Sequence, residues 1–247
     1  MCRKSSPPHP MECAMIKVVY AADLFRRPTL AASMFRDRAS QFHDRLRWQV
    51  QLDDQGLEFD QYDDLNPLYV IMHDEKDRHI GSGRLMPTTG RTMLNEHFSD
   101  LTGGVTIESP LIWETTRFCV SPALRGDRAE SLRTSAALLW AGCDIAIRSG
   151  VEFYAGVFMK PMLRVYKAAG WNPEVLGERY TREGDICVGL WEVTTQTRDR
   201  LAERAGFHEI GVTTPLEYFP TEDRFPTFEA IPGAQTMKVA AELASYL

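Results

Sequence analysis

The sequence predicts one α/β domain, a mixed sheet flanked by helices, and three observations carry that reading. Short runs rich in Val, Ile and aromatic residues alternate with segments of helical period in a mixed order. No linker divides the 247 residues, and no internal repeat is present. With 44% hydrophobic and 25% charged residues, the chain has enough apolar side chains for one sizeable core.

Residues 1–14 are rich in Pro, Ser and charge, so they are expected to form a disordered, dispensable extension ahead of a domain spanning 15–247. IKVVY, from Ile16, is the first strand. In LAASMFRDRASQFHDRLRWQV, residues 30–50, Leu30, Met34, Phe42 and Leu46 recur in steps of four or multiples of it. That spacing predicts an amphipathic helix whose other face carries Arg36, Asp37, Arg38, Arg45 and Arg47. After the polar loop DDQG and the acidic stretch LEFDQYDDLNPLY, residues 57–69, LYVIMHD and HIGSGRLM read as a hairpin turned by DEKDR.

MLNEHFSDL is a short helical piece, and IWETTRFCVS, residues 112–121, is a strand. A long helix fits residues 128–148, where Leu132, Ala136, Leu139 and Cys143 form one apolar line and Gly150 follows as a stop. VEFYAGVF is a strand, KPMLRVYKAAG a helix with Pro161 in its first turn, and DICVGLWEVT, residues 185–194, another strand. TRDRLAERAG is the next helix, followed by Pro-rich coil and a short C-terminal helix.

Thirty-four acidic against 28 basic residues give a net charge of −6, which argues against indiscriminate binding to nucleic acid or an anionic membrane. No apolar run is long enough to span a bilayer, and MCRKSSPPHPMECAM lacks the apolar centre of a signal peptide. Cys2, Cys13, Cys119, Cys143 and Cys187 are odd in number and contain no CxxC pair. They are expected to be reduced structural thiols of a cytoplasmic protein.

Four clusters are candidates for chemistry, each with a structural alternative. Arg38 and Phe42 share a helix face, and with Trp48 could clamp a ligand carrying an anion and a flat ring; a salt-bridged, half-buried helix would look the same. Glu58, Asp60 and Asp63 cannot all face one side of a strand, so they sit in an irregular loop that lines a ligand, pairs with arginines or is merely solvated. The calcium pattern DxDxDG is missing there, and no metal is expected. Gly81 and Gly83 alternate on one face of a strand, where either a ligand or a helix comes close to the backbone, while Arg84 points the other way. In WETTRFCVS, strict alternation puts Glu114 and Thr116 on one face and Arg117 on the other; for Glu114 and Arg117 to act together the strand must bulge.

In order, R-x3-F-x5-W, E-x-D-x2-D, G-x-G-R-L-x-P-T and W-E-x-[ST]-R-F resemble the acyl-homoserine-lactone synthases, the autoinducer synthases of quorum sensing, over residues 15–171. The resemblance implies a single-domain GNAT-like mixed sheet flanked by helices. It implies substrates, S-adenosylmethionine and an acyl thioester on acyl carrier protein or coenzyme A, rather than a cofactor. The family's characteristic residues fall here on Arg38, Phe42, Trp48, Glu58, Asp60, Asp63, Arg84, Phe98, Glu114 and Arg117, with Thr116 inside the last motif. By this reading Asp60 and Asp63 supply negative charge to S-adenosylmethionine, Phe42 and Trp48 its walls, and Arg38 or Arg117 its carboxylate partner. Glu58 holds Arg38 or Arg84, Tyr62 and Tyr69 are packing, and Glu114 is the candidate base.

The thioester is expected between IWETTRFCVS and VEFYAGVF, and Arg125, Arg128, Arg133, Lys160, Arg164 and Lys167 are a candidate basic patch for acidic acyl carrier protein. Gly156 falls where synthases making 3-oxo-acyl products often carry Thr. A glycine there predicts that a 3-oxo chain is disfavoured and that freed volume admits a branched or aromatic acyl group. The competing readings are an N-acyltransferase using acyl-coenzyme A and another amine, and a small-molecule sensor. The first leaves the acidic trio and the Arg38, Phe42, Trp48 set without a task; the second leaves Glu114 without one.

Overall fold

The hairpin predicted from LYVIMHD and HIGSGRLM forms the centre of the sheet. Its strands, β2 (Leu68–His73) and β3 (His79–Pro87), pair antiparallel. In this computed structural model the described residues are 14–182, 184–207 and the backbone of Leu216–Tyr218. The remaining strands are β1 (Met15–Tyr20), β4 (Ile112–Val120), β5 (Phe153–Met159), β6 (Glu174–Arg179), β7 (Ile186–Glu192) and β8 (Leu216–Tyr218). They run in the order β6-β7-β5-β4-β3-β2-β1-β8. The β4/β5 and β1/β8 pairs are parallel and the others antiparallel, so the sheet is mixed, as expected. Residues 1–13 of the predicted 1–14 extension and the predicted C-terminal helix lie outside the described residues, and within the predicted Pro-rich coil Leu216–Tyr218 instead forms β8 by pairing with β1.

Helices cover both faces. On one, α4 (Arg128–Arg148), α5 (Leu163–Ala169) and α6 (Thr195–Ala205) enclose the larger core with Val70, Leu85, Trp113, Tyr154, Phe158 and Trp191. Asp127 caps α4 by accepting from the Glu130 N–H at 2.9 Å, so the long helix starts where its sequence places it. On the other face lie α1 (Ala21–Leu24), α2 (Pro28–Ala39) and α3 (Met93–His97). Leu24, Leu30, Met34 and Phe35 pack there against Tyr69 and Ile71. Cys119, Cys143 and Cys187 are buried and unpaired.

The helix predicted to reach Val50 ends earlier. After Ala39 the backbone widens into a π-helical segment, Ser40–Arg45, and Arg47 then turns left-handed at φ 57°. The Trp48 N–H donates back to the Phe42 carbonyl at 2.9 Å, which folds Trp48 over the helix end. A left-handed terminator is usually glycine, so an arginine in that role leaves no stop signal in the sequence. Arg38, expected on the charged outer face, is fully buried.

The edge strand β6, not anticipated from the sequence, seats against the short turn Ser99–Thr102 that follows Phe98. Gly177 makes this approach possible, because a Cβ there would lie 2.0 Å from the Leu101 carbonyl oxygen. Gly177→Ala must push backbone against backbone, and we expect it to cost about 1–3 kcal/mol of stability. In a thermal melt this should lower Tm by several degrees, at about 2–4 °C per kcal/mol for a chain of this size.

Candidate active site

The acidic stretch and three arginines form one buried ion network. Arg38 donates to Glu58 at 2.5 Å and, through both terminal nitrogens, to Asp63 at 3.0 and 2.9 Å. Arg84 holds Asp60 at 2.5 and 2.9 Å, Asp63 at 2.8 Å and the Thr116 hydroxyl at 3.0 Å. Arg117 reaches Glu58 at 3.0 Å and Asp60 at 2.7 Å, and the Tyr69 hydroxyl donates to Asp63. Three carboxylates face three guanidiniums, so the cluster is formally neutral, as buried charge must be.

Local backbone chemistry prepares these contacts. The Asp63 carboxylate accepts the Asp60 N–H at 2.9 Å, while the Asp60 carboxylate accepts the Tyr62 N–H at 2.9 Å. These bonds brace the bend at residues 60–63 that leads into a 3₁₀ turn, Asp63–Leu65, and aim both side chains at the arginines. Burial works against the charge on Asp63, but Arg38 and Arg84 outweigh it and hold the carboxyl far below the usual range. Asp60 is shifted the same way, its burial opposed by Arg84 and Arg117.

The bulge required for Glu114 and Arg117 to act together is present. Ser82 pairs with Cys119 but Arg84 with Thr116, so β4 holds one extra residue, and Arg117 there has φ 53°. Glu114, Thr116 and Arg117 consequently all serve the α2/α3 side. Glu114 is fully buried and accepts the Leu94 and Met93 N–H groups at 2.6 and 3.2 Å, anchoring α3. Burial raises its pKa to about 7, with those N–H groups and Arg84 pulling the other way.

Beyond Glu114–Ala155, the last paired residues, β4 and β5 diverge. A cavity of about 690 Å³ fills the gap. Its polar arm is walled by Phe42 stacked on Trp48, with centroids 5.3 Å apart, by Arg117 over the Phe42 ring at 5.3 Å, and by Asp60, Tyr62, Met93, His97, Phe98 and Thr116. Its apolar arm enters the larger core between Val70, Leu138, Phe158, Tyr166, Trp171 and Trp191.

Of the sequence-predicted residues, Phe42, Trp48, Asp60, Phe98, Thr116, Arg117 and Gly156 line the cavity. Arg38, Glu58, Asp63, Arg84 and Glu114 lie behind its wall. Asp63 and Arg38 therefore correct the expectation of direct contact, because each spends its polar atoms on the other and on the network. Glu58 holds Arg38 and Arg117, with no contact to Arg84. Tyr69 and Tyr62, expected as packing, donate to Asp63 and Glu96. Met93, His97 and Trp191 carried no motif.

The two strand glycines separate. A Cβ on Gly81 would lie 2.7 Å from Leu138 Cδ1, so this glycine admits α4, whereas Gly83 lines the cavity with room to spare. At Gly156 a Cβ would meet the Thr115 carbonyl oxygen at 2.6 Å, so the glycine is needed for strand approach. The expected free volume there is taken by β4 backbone.

A sheet opened between two strands over a cavity with one polar and one apolar arm defines an acyltransferase site. The autoinducer synthase family matches residues 23–202, and the chain belongs to that family. It is 42% identical over 165 residues to an acyl-homoserine-lactone synthase of Rhizobium etli, covering 65% of this chain and 76% of that one. It is 36% identical over 182 residues to an acyl-homoserine-lactone synthase of Agrobacterium fabrum, covering 72% and 81%. Its fold is similar to that of BjaI, a CoA-dependent acyl-homoserine lactone synthase solved with SAM and isopentyl-CoA, with TM-score 0.71 and 24% identity over 94% of this chain and 99% of that one.

The network sets the expected outcome of Asp63→Asn. Removing one charge strands Arg38 and Arg84 without their shared partner, so the variant should lose about 3–5 kcal/mol of stability rather than only activity. Denaturant unfolding checks this. Because the folded Asp63 pKa is depressed, its contribution is complete above the ordinary carboxylate pKa and is lost as pH falls below it, so wild type should outlast the variant by less in acid.

Proposed function

We propose that the chain condenses S-adenosylmethionine with an acyl group carried as a thioester on acyl carrier protein or coenzyme A. The products are an acyl-homoserine lactone, methylthioadenosine and the free thiol. The continuity of the polar and apolar arms through the β4/β5 gap carries this reading, because it brings an amine and an acyl carbonyl together at one place.

S-adenosylmethionine brings a sulfonium, an α-ammonium and a carboxylate. The stacked Phe42 and Trp48 take the adenine and sulfonium, Arg117 the carboxylate and Asp60 the ammonium. Asp60 and Arg117 suit these roles because 13% and 9% of their side chains are exposed at the cavity edge, against none of Asp63. Exposed Arg125, Arg128, Arg164 and Lys167, with part-exposed Arg133 and Lys160, are the surface cations that suit an acidic carrier.

An ammonium has no lone pair, so the amine must lose a proton before it attacks. Glu114, poised near neutrality, takes that proton through a water. The N–C bond then forms as the C–S bond breaks, and the thiolate leaves and is protonated. The substrate carboxylate next closes on its own γ-carbon, expelling methylthioadenosine as a neutral thioether. No enzyme nucleophile is needed.

Incubating purified protein with S-adenosylmethionine and acyl thioesters on both carriers should yield lactone and methylthioadenosine by mass spectrometry; no lactone from any donor overturns the proposal. Activity should rise with pH through about 7 as Glu114 ionises. Glu114→Gln should lose at least about 100-fold in kcat together with that inflection. If Glu114 serves only as the anchor of α3, the variant will instead shift the KM for S-adenosylmethionine and keep the pH profile.

A further inference from the structure

Gly142 stands well inside α4, where glycine is destabilising relative to alanine. Neither usual reason for a glycine applies to it. Its φ is not positive, and a Cβ built on it meets nothing within 4 Å, so it serves neither a left-handed turn nor a close approach. Other glycines with such room, among them Gly56, Gly126 and Gly150, are exposed, whereas Gly142 is buried and lines the apolar arm. Gly83 of β3 is its counterpart on the sheet. It is buried in the same arm, and the nearest atom to a Cβ there is Phe118 Cδ2 at 3.8 Å.

The two glycines come opposite each other. Because α4 joins the parallel strands β4 and β5, it runs against β4 and in the same sense as β3. It meets the sheet where Leu138 Cδ1 would lie 2.7 Å from a Cβ on Gly81. Two residues further along β3 is Gly83 and four further along α4 is Gly142, each on the same face as the residue it follows. The arm therefore lacks a side chain on both walls at one depth, over Val70 and Leu85 and beside Phe118, Tyr154 and Trp171. Side chains missing from opposite walls make a channel wide rather than long. A straight alkyl chain leaves that width unfilled and forfeits contacts on both sides. We propose that Gly83 and Gly142 are specificity-determining positions that shape the end of the apolar arm for an acyl group ending in a ring, an inference that rests on the acyl transfer proposed above. The ring fills the space between sheet and helix, where the aromatic neighbours suit it better than they suit a methyl terminus. The extra room expected at Gly156 is thus found under α4.

The experiment compares heptanoyl, dodecanoyl and 3-phenylpropanoyl groups in wild type, Gly142→Ala, Gly142→Val and Gly83→Val. Heptanoyl and 3-phenylpropanoyl have similar reach and differ in width, while dodecanoyl tests length alone. Competition between matched thioesters gives the ratio of kcat/KM values. Calorimetric titration of the three corresponding homoserine lactones gives the same preference without any carrier or turnover. Wild type should favour 3-phenylpropanoyl over both straight chains by about tenfold, and each added side chain should bring that ratio to one or below. Gly142→Ala should at the same time raise Tm by a few degrees, because it replaces a helical glycine, so its lost preference is separable from misfolding. No preference for the ring in wild type, or a ratio unmoved by the three variants, overturns the inference. Failure of the acyl-transfer reading is distinct, since it shows as no lactone formed from any of the three donors.

Discussion

The site depends on a formally neutral cluster in which Arg38, Arg84 and Arg117 neutralise Glu58, Asp60 and Asp63 in the interior. No member of such a cluster is independent. Removing one leaves a charge without a partner at a cost of several kcal/mol. Packing and chemistry are thereby joined, because the same bonds that hold the loop at 57–69 to α2, β3 and β4 also set Asp60 and Arg117 at the cavity wall. An acidic loop and a row of arginines, each ordinary alone, fix one another's positions.

The second constraint is the bulge in β4. One extra residue puts Arg117 on the side of Glu114 and Thr116, and the left-handed backbone it requires of an arginine is held by bonds to Glu58 and Asp60 and by the Phe42 face. Past the Glu114–Ala155 pair the strands are free to diverge, and the cavity passes from polar to apolar surroundings through that gap. Under the proposed function this gap is where a water-soluble amine donor and a lipid-like acyl chain meet.

Much of this was legible in the sequence. Periodicity placed the hairpin β2–β3, the 21-residue helix α4 and the strands around the gap, and the need for a bulge followed from Glu114 and Arg117 lying three apart. The motifs named the network's six charged members, but not their arrangement. Sequence spacing cannot tell a carboxylate that faces substrate from one that faces an arginine, so Asp63 and Arg38 were assigned to the ligand. The early end of the helix after Ala39 was hidden because its terminator is Arg47 and not glycine. The strand β6 was missed since Glu174–Arg179 is mostly exposed and has little apolar alternation. Trp191 gave no signal because its place in the cavity wall is visible only once β7 is seen beside β5.

The central claim is that the network delivers Asp60, and not its inner members, to the charged end of S-adenosylmethionine. Calorimetric titration of S-adenosylmethionine into folded Asp60→Asn tests it most directly. Without the carboxylate charge that pairs with the substrate ammonium at the cavity edge, binding should weaken by at least about tenfold relative to wild type. Affinity equal to that of wild type would contradict the assignment.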